Sequence, residues 1–125
     1  MDMTGVRQTL GRRGETLAAM ALEKAGYSII ERNYRCCYGE VDIVAREAGD
    51  LVFVEVKTRR SRAYGHPAEA VGPRKRQHLA RVAAHYLQNC AVPDSGCRFD
   101  VVAVLLSPDG RLENLELIKA AFDLA

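Results

Sequence analysis

No stretch of this 125-residue sequence approaches the ~20 consecutive apolar residues that a membrane helix requires. Met1 to Leu10 hold no apolar core of the kind that marks a secretory signal, so a cytoplasmic protein is the expectation. The four cysteines, Cys36, Cys37, Cys90 and Cys97, form no Cys-x-x-Cys pair, and no histidine stands at finger-like spacing. That argues against a zinc site, and in a reducing compartment the thiols are expected free, packed as small apolar groups. Internal repeats, linkers and low-complexity tracts are missing as well. The length suits one domain and not two, and a domain near this size buries roughly two-thirds of its unfolded surface, enough for a core without staples.

What is present is ordinary globular composition, 48% hydrophobic and 27% charged, with a formal net charge of only +2. The distribution of that charge says more than its sum. Between Lys57 and Arg81 stand Lys57, Arg59, Arg60, Arg62, Arg74, Lys75, Arg76 and Arg81 against the single acid Glu69, so the rest of the chain is net acidic. A basic block of this kind suits a polyanion partner, and it also suits a solvated surface with incidental arginines.

Hydrophobic periodicity divides the chain into elements. Gly11 to Ala25 reads as a helix with Leu17, Ala18, Met20, Ala21, Leu22 and Ala25 at helical spacing, stopped by Gly26; Met1 to Thr9 reads as a frayed lead-in. Tyr27 to Tyr34 is rich in β-formers. Glu40 to Arg46 alternates, with Val41, Ile43 and Ala45 on one face and Glu40, Asp42 and Val44 on the other. A turn at Glu47-Ala48-Gly49-Asp50 leads to a third strand, Leu51 to Thr58, with Val52, Val54 and Val56 opposite Leu51, Phe53, Glu55 and Lys57. Arg59 to Gly72 reads as a long loop and Pro73 to Asn89 as a helix with Leu79, Val82, Ala83, Tyr86 and Leu87 inward. Phe99 to Leu106 and Leu112 to Ile118 read as strands, and Lys119 to Leu124 as a short terminal helix. The order implies an antiparallel meander joined by a crossover helix to a fourth strand, an α/β fold with a mixed sheet.

An even-length loop centred on Ala48-Gly49 sets Asp42 opposite Glu55 on one side of the sheet. Like charges directly opposite destabilise a strand pair, so something must compensate. A hard divalent cation on oxygen ligands does so, and Lys57, two residues past Glu55, brings a positive charge to the same face. A solvated or salt-bridged sheet face accounts for the spacing equally well. Glu15, a turn before Ala18, Ala19 and Leu22, lies at the edge of the helix face that packs on the sheet; a first-turn interaction with the helix dipole is its plainer role. Glu40 shares the Asp42 face at the start of the strand.

Gly39-Glu40-Val41-Asp42 followed by Phe53-Val54-Glu55-Val56-Lys57-Thr58-Arg59 resembles the YraN-type family of uncharacterised, endonuclease-like bacterial proteins, which in turn is similar to the archaeal Holliday junction resolvases of the PD-(D/E)xK nuclease superfamily. The likeness runs on through Gly14-Glu15, Arg32-Asn33-Tyr34, Lys75 and Arg98-Phe99-Asp100. It implies a restriction-endonuclease-like three-layer core, α-β-β-β-α-β, as one endonuclease-like domain over residues 1–125. It also implies Mg²⁺ or Mn²⁺ bound by Asp42 and Glu55, with the Val56 carbonyl as a further ligand and Glu15 completing the metal site. Lys57 would orient or help deprotonate the attacking water, since a lysine beside a metal and its water can have a lowered pKa. Two departures stand out: Val41 rather than proline precedes Asp42, and Arg81 stands where related nucleases carry a tyrosine after the glutamine, here Gln77.

The activity so implied is metal-dependent hydrolysis of phosphodiester bonds in DNA, branched or otherwise structured. A nucleic-acid-binding module of the same fold without turnover is the alternative, and a structural or protein-interaction domain a third. RNA stays open as a partner. Resolvases of this class work as dimers, which points to a homodimer, although no dimer face is legible. Arg59, Arg60 and Arg62 leave the third strand, and Arg74, Lys75, Arg76 and Gln77 open the next helix, where they are placed to hold nucleic acid. No aromatic stacking platform or base-reading motif stands out, and Tyr64 and His66 read as ordinary loop residues, so recognition of backbone or shape is expected.

Overall fold

A 22-residue helix, α1 (Met3–Lys24), opens the chain. The computed structural model describes residues 3–60, 71–89 and 96–122, with side chains from residue 11 onward. Helix α1 begins at Met3 rather than Gly11, because extending an existing helix through residues such as Arg7, Gln8 and Leu10 costs little once a turn has formed. It stops as expected at Gly26, whose φ of 97° lets the Tyr27 amide donate back to the Leu22 carbonyl at 2.9 Å and the Gly26 amide to Glu23 at 3.1 Å.

Five strands follow around a second helix: β1 (Ser28–Cys36), β2 (Gly39–Glu47), β3 (Asp50–Arg59), α2 (Pro73–Asn89), β4 (Cys97–Leu106) and β5 (Leu112–Phe122). They form one sheet in the order β1-β2-β3-β4-β5. β1, β2 and β3 are an antiparallel meander, α2 crosses over so that β4 runs parallel to β3, and β5 returns antiparallel to β4. The expected mixed sheet and element order are what forms.

The two helices cover opposite faces, giving three layers. On one face Ala18, Ala19 and Leu22 of α1 pack on Ile43, Ala45, Val52, Val54, Val102, Val104 and Leu106. The alanines allow close approach, and Gly14 allows more: a Cβ there would fall 1.8 Å from Thr58 Oγ1 and 2.9 Å from its Cβ. On the other face Leu79, Val82, Ala83 and Tyr86 of α2 pack on Val44, Leu51, Phe53, Phe99 and Val101. An aromatic row runs through this layer, with Phe53 5.7 Å edge-on from Tyr86 and stacked 5.5 Å from Phe99, which stacks 5.1 Å from Phe122.

Phe122 corrects the expected terminal helix. Lys119 to Phe122 continue β5, because a bulge at Ala120 (φ 49°) turns its amide onto Asp100 Oδ1 at 3.0 Å and brings Phe122 opposite Phe99. Ladder bonds and aromatic burial outweigh the helical propensity of a short Lys-Ala-Ala segment.

The β2–β3 register is the expected one. Glu47 pairs with Asp50 across Ala48 (φ 52°) and Gly49 (φ 84°), and the ladder runs from there to Ile43↔Val54. Two successive residues at positive φ make the turn whose twist matches a tight hairpin. The alternation along β2 needs one correction: Ile43 and Ala45 face α1, but Val41 packs with Val44 on the α2 side. The strand twists at Asp42, and β1 has its own irregularity alongside, where Asn33 at φ 56° lies between Arg32↔Ile43 and Tyr34↔Val41. Asparagine is among the few residues that accept that conformation readily.

Candidate functional site

Past Ile43↔Val54 the β2–β3 ladder gives way to a side chain. The Val56 amide donates to Asp42 Oδ2 at 2.7 Å, so a carboxylate takes the place of the next strand carbonyl. The strands part there and leave a groove of about 480 Å³ whose walls include Glu15, Asn33, Asp42, Lys57, Arg59 and Arg60. Glu15 enters from α1, held over this end of the sheet by the close Gly14–Thr58 approach. From the other layer, Lys75 in the first turn of α2 reaches down to Glu55.

Glu55 is only 6% exposed, a costly position for a carboxylate. Burial pushes its pKa up to about 8, helped by a hydrogen-bonding contact with the Asp42 carboxyl and by the Asp42 charge, against the pull of Lys75 and Lys57. A carboxylate buried beside another acid favours its protonated form, and the raised pKa of Glu55 reflects that. Glu15 is raised too, first by burial and then by Asp42 and Glu40, with Arg32 opposing. Glu15 Oε1 and Glu55 Oε2 are buried and have no hydrogen-bond partner. Lys75 Nζ stands 3.5 Å from Glu55 Oε2, a charge partner without a hydrogen bond.

Among the described residues no three acidic, imidazole or thiol side chains converge as a ready-made metal cage. The donor set nevertheless suits a hard cation: two carboxylates in contact, the strand backbone at Val56, and the Glu15 carboxylate in the groove that Asp42 lines, with an oxygen on each glutamate that accepts no hydrogen bond.

The structure thus gathers Asp42, Glu55, Val56, Lys57 and Glu15 at one end of the sheet, with Arg59 and Arg60 along the same groove. Arg62 lies outside the described residues, as do Tyr64, His66 and Cys90. Arg74 and Gln77 are exposed on α2. Arg76 turns away from the groove: its Nε donates to the Val71 carbonyl at 2.7 Å and its guanidinium lies 5.1 Å over the Phe122 ring. Two features went unread in the sequence. Lys75 is an ion-pair partner of Glu55, a contact that only the crossover of α2 creates. Asn33 faces the groove from β1; in the sequence it stood only within the Arg32-Asn33-Tyr34 segment of the resemblance, with no role of its own.

A second polar cluster runs from the β2–β3 turn along β4 to Asp100, which pairs with Val54 beside Glu55. Asp100 is fully buried and accepts from Tyr27 Oη at 2.6 Å and Arg98 Nε at 3.1 Å. Arg98 also reaches Asp50 at 3.0 Å and Glu47 at 2.5 Å, and its guanidinium lies over the Tyr27 ring. Every carboxylate of this cluster has a donor, in contrast to the orphaned oxygens of the groove. The cluster ties the β2–β3 turn, β4 and the end of α1 together as a structural clamp.

Comparison with known proteins places these residues in a family. The model of "Uncharacterised protein family UPF0102" matches residues 14–104, a span that holds Glu15, Asp42, Glu55, Lys57 and Asp100. The chain is 52% identical to a UPF0102 protein of Syntrophus aciditrophicus over 115 residues, covering 92% of this chain and 89% of that one. It is 49% identical to a UPF0102 protein of Moorella thermoacetica over 120 residues, covering 96% and 100%. A third, from Geobacter sulfurreducens, is 51% identical over 117 residues, covering 93% and 90%.

Proposed function

The chain belongs to the UPF0102 family, and from that premise we propose that it is a metal-dependent endonuclease acting on phosphodiester bonds of DNA, branched or otherwise structured. One observation carries the reading: Asp42 and Glu55 share a buried contact in which Glu55 Oε2 accepts no hydrogen bond and faces the Lys75 ammonium at 3.5 Å, next to a groove that Asp42 lines with Lys57, Arg59 and Arg60. A fold keeps such a pair at a cost in stability, and the pair suits cation-assisted chemistry on a polyanion.

Asp42, Glu55 and the Val56 carbonyl would hold Mg²⁺ or Mn²⁺, with Glu15 completing the donor set. Such a cation supplies an activated water and neutralises charge building on the phosphate. Lys57 would orient the attacking water or help deprotonate it. Arg59 and Arg60 hold flanking phosphates, for which the planar guanidinium is suited. Val56, by donating its amide to Asp42 Oδ2, fixes the carboxylate before substrate arrives. Cutting two strands of one branched substrate would call for two copies of the chain.

The test is cleavage of linear, single-stranded, flapped and four-way-branched DNA with Mn²⁺ and Mg²⁺, by the parent, Glu55→Gln and Lys57→Ala. Cleavage of one class by the parent alone is expected. Equal products from parent and Glu55→Gln would rule the assignment out. A binding module without turnover is the second reading, favoured by the Lys75 ammonium already facing Glu55. It predicts DNA binding that falls with salt and ignores chelators.

A further inference from the structure

The α2 helix carries no acidic residue, and one of its faces is a stripe: Arg74, His78, Arg81, His85 and Gln88 recur at the spacing of a single helical side. All are exposed except His85, which is half-buried. The stripe begins beside Lys75, the partner of Glu55, and ends in a second groove of about 340 Å³ formed by Arg81, His85 and Gln88 with Tyr38 of the β1–β2 turn.

Tyr38 is the one aromatic side chain of this groove that is largely exposed, at 49%, and its ring is held in place. It lies edge-on to His85 at 6.2 Å. His85 Nδ1 is hydrogen-bonded to Tyr34 Oη at 2.6 Å, and Tyr34 packs edge-on at 5.1 Å against the buried Tyr86. An exposed ring backed by a chain of ordered rings is a surface for another flat ring, and the cation beside it suits the phosphate that accompanies a nucleobase.

We propose that Tyr38, His85 and Arg81 form a subsite for an unpaired DNA strand, with a base on Tyr38 and its phosphate on Arg81, and that the α2 stripe leads this strand from the carboxylate groove. The proposal deepens the nuclease reading by naming its substrate as DNA with a single-stranded segment. Two rulers give the same reach. Lys75 to His85 is about 15 Å along a helix rising 1.5 Å per residue. Tyr38 to Asp42 is about 13 Å along a strand rising about 3.3 Å per residue.

A fluorescein-labelled oligonucleotide, presented as single strand, as blunt duplex and as duplex with an unpaired flap, is titrated with the full chain in EDTA, so that binding is read without turnover. Tyr38→Ala is expected to weaken single-strand and flap binding by about tenfold or more while blunt-duplex binding stays within about twofold, and Tyr38→Trp to restore it. Arg81→Ala is expected to weaken all three and to lower the salt slope by about one. The melting temperature of Tyr38→Ala should match the parent's, since the ring is half out of the core. A Tyr38→Ala variant that binds the flap as tightly as the parent overturns the proposal, as does a parent that binds all three forms alike or none. Cleavage that depends on Glu55 but ignores Tyr38 would remove the subsite and leave the nuclease. Tyr38-dependent binding without Glu55-dependent cleavage would do the reverse.

Discussion

Asp42 Oδ2 accepts the Val56 amide at 2.7 Å where the β2–β3 ladder ends, so one carboxylate both terminates a strand pair and opens the groove beside Glu55. The same contact explains why Glu55 is buried against another acid: both lie in the gap that the departing ladder leaves. Three expectations follow from this arrangement and from what supports it.

Glu55 makes the stability of the metal-free protein depend on pH. Its carboxyl is raised from the ordinary 4.5 to about 8, so between those values the folded state holds a proton that the unfolded state has lost. Stability therefore falls as pH rises through this window, by at most about 1.4 kcal/mol per pH unit for one group. Melting temperatures of the parent in EDTA should drop from pH 5 to pH 8 more steeply than those of Glu55→Gln. Mn²⁺ should raise the parent's melting temperature most at the alkaline end, where the proton no longer competes, and should leave Glu55→Gln nearly unmoved. Parallel pH profiles for the two proteins would remove Glu55 as the cause.

Gly14 sets the height of Glu15 over the groove. Gly14→Ala puts a methyl group 1.8 Å from Thr58 Oγ1, and because Thr58 Cβ is also only 2.9 Å away, rotating the hydroxyl does not relieve the clash. Helix α1 must lift, at a cost of about 1–3 kcal/mol. Denaturant unfolding should show that loss, and any Mn²⁺-dependent cleavage by the folded variant should fall with it. Parent-like stability would mean that α1 does not cross β3 at Thr58.

Asp100 pairs with Val54, one residue from Glu55, but its carboxylate serves Tyr27, Arg98 and the Ala120 amide, so its removal should act on stability. Asp100→Ala leaves Arg98, Tyr27 and the Ala120 amide without their shared acceptor. Breaking a buried pair from one side typically costs about 3–5 kcal/mol. Urea unfolding should show a loss of that order, while the effect of Mn²⁺ on the fraction still folded stays as in the parent. A selective loss of the Mn²⁺ effect would mean that the Asp100 cluster also supports the carboxylate pair.

Much of this was legible in the residues because it rests on short-range rules. Glycines at positions 26 and 49 stop a helix and close a turn, the period of the apolar residues separates helices from strands, and the turn sets the register that brings Asp42 level with Glu55. Lys57 and Glu15 followed from counting along a strand and a helix. Where the reading missed, a contact distant in sequence overruled a local preference. Lys119 to Phe122 stay in β5 because Asp100 and Phe99 bind them there, and Val41 leaves its expected face because Asp42 bonds to β3 instead of alternating.

The sequence by itself determined the order of elements, the hairpin register and the carboxylate pair, since each depends on neighbours within a strand, a helix or a tight turn. Only the tertiary structure decided that Glu55 is buried, that Lys75 faces it from the opposite layer, and that Tyr38 lies against His85, 47 positions away in the numbering. Those facts come from how two helices cover two faces of one sheet. Packing of that kind joins segments whose separation along the chain carries no local signal.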